Sequence, residues 1–128
     1  MLLEDKSIQL WSYNLETILA EKIQTILSRG LLNTRMRDFY DVTTLFDRYN
    51  DQIKYNDLSL AFDKTCRKRE TLSLLEHYEE ILCSISEDST LQNLWKNYCR
   101  KYKYASHIEF STNLEIIKQL MSQMLEIE

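Results

Sequence analysis

Five ionisable residues, Glu21, Lys22, Arg35, Asp38 and Asp41, are the part of this sequence best placed to do chemistry. An ammonium beside carboxylates and a guanidinium can hold an anionic ligand, move a proton or help place a metal ion. Their setting in the apolar pattern sets them apart from ordinary surface charges. Advancing about 100° per residue puts Leu15, Ile18, Leu19, Ile23, Ile26 and Leu27 on one arc. Lys22 falls inside that arc, four residues after Ile18 and four before Ile26, and Arg29 falls there too. Further on, Phe39, Val42, Leu45, Phe46 and Tyr49 form a second arc, with Asp38 four residues before Val42 and Arg35 four before Phe39. Charge buried without a partner is costly, so such groups pair, neutralise or open onto a ligand cavity. Two readings follow. Lys22 pairs with Asp38 or Asp41 as an internal staple, or it meets an anion in a polar site between helices. A lysine stem can also carry its charge out to solvent.

The elements that must position these residues are helices. The chain of 128 residues has no proline and one glycine, so both helix breakers and hairpin-turn residues are lacking. The pattern predicts an all-α fold, a single bundle of about five to six helices spanning 1–128. The first helix runs from about Glu16 to Arg29, with Gly30 supplying a left-handed C-terminal residue. Asn33 or Thr34 caps a second, ending near Arg48. A third starts near Asp57, with Leu58, Ala61, Phe62, Thr65 and Cys66 inside. Thr71 or Ser73 opens a fourth, and Asp88 or Ser89 caps a fifth. The last starts near Thr112 and carries Leu114, Ile117, Leu120, Met121, Met124 and Leu125. Before the first helix, Ile8, Leu10 and Ser12 alternate with Gln9, Trp11 and Tyr13, the pattern of a short strand. Standing alone, such a strand has unpaired edges that fray, pack as coil or join a second copy into a homodimer through 8–13.

Composition narrows the classes further. A net charge of −4 gives no global field for nucleic acid. No apolar run spans a bilayer, and the start of the chain turns charged at Glu4-Asp5-Lys6, unlike a cleavable signal. Cys66, Cys83 and Cys99 are an odd number and widely spaced, which argues against a disulfide scaffold and for the reducing cytoplasm. His77 and His107 have no partner at zinc-ligand spacing, so no metal ligand set is assigned. Two clusters run against the acidic total: Lys64, Arg67, Lys68 and Arg69, and then Lys96, Arg100, Lys101 and Lys103 interleaved with Tyr98, Tyr102 and Tyr104. Cations mixed with aromatics can follow a phosphate backbone and stack bases. Cations near helix C-termini also complement the helix dipole, and alternating charges commonly form a solvated face.

The segment Tyr13-Asn14-Leu15-Glu16-Thr17-Ile18-Leu19-Ala20-Glu21-Lys22, followed by Thr34-Arg35-Met36-Arg37-Asp38-Phe39-Tyr40-Asp41, resembles the AbiEii/AbiGii-type nucleotidyltransferase toxins of abortive-infection and type IV toxin–antitoxin systems. The last two of that family's four motifs have the form Pro-Leu-x-Thr-x-x-x-Glu-Lys and Arg-x-Lys-Asp-x-x-Asp. Asn14 stands where the family usually has proline, and Arg37 where it usually has lysine; the latter keeps the charge, although the two side chains are not interchangeable. The family's first motif, a Gly-Ser turn followed by an Asp-x-Asp pair for the catalytic metal, has no counterpart among these 128 residues. The chain is therefore expected to correspond to the C-terminal helical part of such a protein, with 8–13 as the last strand of an otherwise absent sheet.

The resemblance implies nucleotidyl transfer from a nucleoside triphosphate to an RNA acceptor, transfer RNA for some members, with Mg2+ as the metal. Lys22 would contact the triphosphate, and Asp38 and Asp41 would complete the site. Glu21, Arg35, Arg37 and Thr17 would support or orient them. Lys96, Arg100, Lys101 and Lys103 would contact RNA. Lacking the Asp-x-Asp pair, the chain is expected to bind metal and nucleotide weakly and to catalyse nothing by itself. The implied partners are an antitoxin protein or a catalytic N-terminal half. The alternative is a helical protein-interaction module in which Lys22 and Asp38 form a structural ion pair.

Overall fold

A computed structural model describes residues 2–126, and their side chains from Leu15 onward. The architecture is all-α. Among the described residues six helices run α1 (Leu2–Arg29), α2 (Met36–Tyr49), α3 (Tyr55–Lys68), α4 (Leu74–Glu87), α5 (Ser89–Lys101) and α6 (Phe110–Glu126), with single 3-10 turns at Gly30–Leu32, Asn50–Gln52 and Lys103–Ala105.

The expected N-terminal strand is a correction: Ile8 to Tyr13 lie within α1, which begins at Leu2 instead of near Glu16. The physical reason is backbone satisfaction. With no neighbouring strand, each N–H and C=O must find its partner locally, and a helix supplies one for every residue. No glycine or proline interrupts the stretch. A helix has no open edge, so the strand-edge route to a homodimer falls with the strand.

The C-terminal half of α1 is the spine of the core. Leu15, Leu19, Ala20, Ile23, Ile26 and Leu27 are all buried. The helix packs most extensively on α3, and also on α2 and α4, while α2 packs chiefly on α6. Val42, Leu45 and Phe39 from α2 meet Leu58 and Phe62 from α3 and Ile117 and Leu120 from α6 in one continuous apolar cluster. Phe39 meets Phe110 edge-on, with ring centroids 5.2 Å apart. The Trp95 indole N–H donates to the Ile108 carbonyl at 2.9 Å, tying α5 to the connection that leads into α6.

Helix ends follow the sequence signals unevenly. Gly30 does take the left-handed conformation, φ +51°, directly after α1. Asp88 caps α5, its carboxylate accepting the Leu91 N–H at 2.9 Å. Asn33 is not the cap of α2. Its side-chain oxygen accepts the Arg35 N–H at 3.1 Å in a local turn, and α2 starts two positions beyond Thr34. Ser73 precedes α4 without a side-chain cap, and Thr71 is engaged elsewhere. The end of α3 carries a second left-handed residue, Glu70 at φ +57°. There the Thr71 N–H reaches the Cys66 carbonyl at 2.8 Å, closing the helix in the way a glycine usually does.

Among the described residues no helix is long and apolar enough to cross a membrane. Cys66, Cys83 and Cys99 are all free thiols.

Candidate functional site

Adjacent residues of α1 point in different directions. Lys22 turns toward α2, where Asp38 and Asp41, three apart, sit nearly one helical turn from each other. Its ammonium donates to the Asp41 carboxylate at 2.8 Å and lies 3.9 Å from Asp38 Oδ1. The two carboxylates differ. Asp41 is partly open and shared with Arg37, whose Nε is 3.6 Å from Asp41 Oδ1. Asp38 is buried, and its Oδ2 has no hydrogen-bond partner among the described residues. A carboxylate oxygen left this way is costly, because the desolvation is not compensated by a donor.

Lys22 and Asp41 line a cleft of about 440 Å³ together with Ile18, Arg37, Tyr40, Thr44, Leu45 and Arg48. Three of these side chains are cationic (Lys22, Arg37 and Arg48) and one is a carboxylate, in a chain whose net charge is −4. The volume lies in the range of small-molecule sites. Arg37, Asp41, Thr44 and Arg48 form a stripe on α2 at spacings of four, three and four. Tyr40 and Arg48 carry no mark in the paired motifs. The stripe was the signal that could have added Arg48, and Tyr40 lies three residues after Arg37 and four before Thr44, spacings that share a face.

The remaining expected site residues are dispersed. Glu21 faces away from the cleft, its carboxylate 3.6 Å from Arg69 at the end of α3. Arg35 is exposed just before α2, and Thr17 is exposed on α1. Neither side chain makes a hydrogen bond or ion pair among the described residues. The α5 cations divide. Lys96 and Arg100 line a different cleft, of about 540 Å³, with Trp95, Cys99, Ile108 and Phe110. Lys101 instead places its ammonium 5.4 Å from the Tyr102 ring centroid, and Lys103 follows in the next turn. In the earlier basic cluster, Arg67 pairs with Asp63 at 2.8 Å and Arg69 is held by α1.

Tyr40 joins the cleft to a group of tyrosines on and after α5. Its ring centroid is 4.9 Å from that of Tyr104 and 6.3 Å from that of Tyr98. The Tyr98 and Tyr104 hydroxyls are 3.1 Å apart. Burial holds the Tyr98 phenol well above its usual ionisation range; the bond to Tyr104 and the charge of Asp41 push the same way, against Arg37.

Among the described residues no three metal-ligating side chains converge. Asp38 and Asp41 alone do not suit a divalent cation, since the Lys22 ammonium already occupies the space beside both. What the arrangement does offer is a cationic pocket for an anion, a half-open carboxylate and an aromatic wall.

Residues 1–116 match the family model described as nucleotidyl transferase AbiEii toxin, type IV TA system. No curated protein and no solved structure matches the chain.

Proposed function

The chain belongs to the AbiEii nucleotidyl transferase toxin family of type IV toxin–antitoxin systems, and from that premise we propose that the α1–α2 cleft is the phosphate-holding part of a nucleotidyltransferase site. The observation that carries this reading is the cleft itself, where Lys22, Arg37 and Arg48 gather around Tyr40 and Asp41. Lys22 and the two guanidiniums neutralise the triphosphate. A lysine acts as a point charge on phosphate oxygens, and an arginine grips two at once. Tyr40 lies against the base or sugar. Asp41 releases Lys22 to the incoming phosphate and turns to Arg37, which it already touches. Nucleotidyl transfer is then largely a matter of positioning and charge.

The chemistry also calls for carboxylates that hold Mg2+. Asp38 and Asp41 do not form such a set, and the sequence contains no Asp-x-Asp pair. In this proposal the chain binds nucleotide weakly and is inactive alone, and the metal-holding residues come from another polypeptide segment. The acceptor is an RNA hydroxyl. Lys101 and Lys103, next to the tyrosines that adjoin the cleft, serve the RNA backbone better than Lys96 and Arg100, which line the other cleft.

A specific observation favours a second reading. Lys22 and Asp41 are already paired at 2.8 Å, as a structural staple in an interaction module would be. One experiment separates the two. The chain is titrated with ATP, GTP, CTP and UTP with and without Mg2+, and amide shifts are followed by NMR around Lys22, Tyr40 and Asp41. Saturable shifts there, abolished by Lys22→Ala, are expected. An absence of shifts up to millimolar nucleotide would leave the pair as scaffold.

A further inference from the structure

We propose that Tyr40, Tyr98, Tyr102 and Tyr104 form a stacking shelf for a single-stranded nucleic-acid segment, leading into the cleft that holds Lys22 and Asp41. The rings are contiguous. Tyr40 and Tyr104 lie 4.9 Å apart between centroids, Tyr104 and Tyr102 5.5 Å, and Tyr102 and Tyr98 4.8 Å. At one end Tyr40 is also a wall of the cationic cleft. Beside it, Tyr104 is 47% exposed, a large aromatic left open to solvent.

This shelf is ordered before any ligand arrives. Tyr98 stacks on the buried Trp95 at 5.4 Å and 20°, and its hydroxyl is 3.1 Å from that of Tyr104. A ring already held in place loses little freedom when a base settles on it. Cations flank the rings: Lys101 stands 5.4 Å from the Tyr102 ring, Lys103 precedes Tyr104, and Arg37 borders the cleft. Aromatic faces for bases, with cations at their margins for phosphates, are the elements of single-strand recognition. A duplex hides its base faces, and the chain's net charge of −4 offers no broad basic surface for duplex binding. The shared ligand chemistry is a flexible sugar–phosphate strand with unstacked bases, from RNA or DNA. Only the placement of its terminal hydroxyl at the cleft rests on the nucleotidyl-transfer reading; the stacking does not.

The test uses the whole chain and fluorescence anisotropy with three labelled probes. They are an RNA of about eight nucleotides, within the usual range of single-strand site sizes, the DNA of the same sequence, and a blunt RNA hairpin. Single strands are expected to bind more tightly than the hairpin. Tyr104→Ala, at an exposed ring, weakens single-strand binding roughly tenfold or more with an unchanged salt slope. Tyr104→Trp restores it. Lys101→Gln with Lys103→Gln reduces the salt slope by roughly 0.7 for each phosphate no longer neutralised. The RNA-to-DNA affinity ratio identifies the source of the strand. Unchanged affinity in Tyr104→Ala, a hairpin bound as tightly as the strands, or no binding of any probe overturns the shelf. If oligonucleotides bind through Tyr104 while nucleoside triphosphates give no shifts at Lys22, the cleft reading falls and the shelf stands. The reverse pattern removes the shelf alone.

Discussion

Two polar clusters flank the same turn of α1, and they are built on opposite principles. On one side Lys22 meets Asp41 and Asp38 beside an open cleft, and a buried carboxylate oxygen is left without a donor. On the other side Gln24 is buried with both its amide nitrogen and its oxygen engaged. Its amide N–H donates to Thr71 Oγ1 at 3.0 Å, and its oxygen accepts from the Arg69 guanidinium. Arg69 donates also to Thr25 Oγ1 at 3.2 Å and lies 3.6 Å from Glu21. The second cluster ties α1 to the turn between α3 and α4, and every polar atom named in it has a partner. The first satisfies its charges incompletely and faces a cavity. Satisfied networks rigidify a fold, whereas groups left short of partners mark places where a ligand completes the set.

The contrast is sharpest under substitution. Gln24→Leu keeps the volume but orphans part of the Arg69 guanidinium and the Thr71 hydroxyl. We expect it to destabilise the chain by about 1–2 kcal/mol, discounted because Arg69 is partly solvated. Urea unfolding monitored by Trp fluorescence checks this through the midpoint. A loss under a few tenths of a kcal/mol would mean the network contributes nothing beyond water.

On the other side, Asp38→Asn removes a buried charge whose Oδ2 has no donor, while Lys22 keeps its closer partner Asp41. Stability is expected to stay level or rise by up to about 1 kcal/mol, the behaviour of a site that gives up stability for function. Triphosphate shifts around Lys22 weaken in the same variant if Asp38 helps to orient the ammonium. A clear loss of stability would instead make Lys22–Asp38 a structural pair and erase the difference between the two clusters.

How much of this was legible beforehand depends on the length scale of the signal. Lys22 and Asp38 could be read together because a 3.6-residue period marks charges inside an apolar arc, Asp41 entered through the motif that resembles the family's, and the structure does bring the three together. Arg48 lies beyond the paired motifs and Tyr40 at an unspecified position of the second, although both share a face of α2 with Thr44. Glu21 shows the limit of reading neighbours as a unit. Adjacent residues on a helix point about 100° apart, so Glu21 faces Arg69 while Lys22 faces Asp41. Ile8 to Tyr13 illustrate a different limit: a six-residue alternation cannot reveal whether a partner strand exists, and without one α1 absorbs it. Nothing local to Gln24, Arg69 or Thr71 announces their contact, which spans more than forty positions of sequence and depends on the turn after α3.

That turn supplies the smallest effect and the finest discrimination. Glu70 sits at φ +57° and Gly30 at φ +51°, two left-handed residues just after helix ends, one a glutamate and one a glycine. A side chain in this region crowds its own carbonyl, which costs roughly 1 kcal/mol or somewhat more, while glycine gives back part of any gain through the freedom of the unfolded chain. Glu70→Gly is therefore expected to stabilise by about 0.5 kcal/mol, and Gly30→Ala to destabilise by about 1 kcal/mol. A Cβ at Gly30 meets nothing within 4 Å, so backbone strain alone sets that second cost. Because Glu70 lies between Arg69 and Thr71, relaxing it tightens the closed cluster, while the Lys22 side should not respond. Matched denaturation curves and triphosphate titrations of Glu70→Gly measure both at once. A stabilised chain with unchanged shifts at Lys22 keeps scaffold and site as separate units, and a change in nucleotide binding would show that the turn after α3 is coupled through α1 to the cleft.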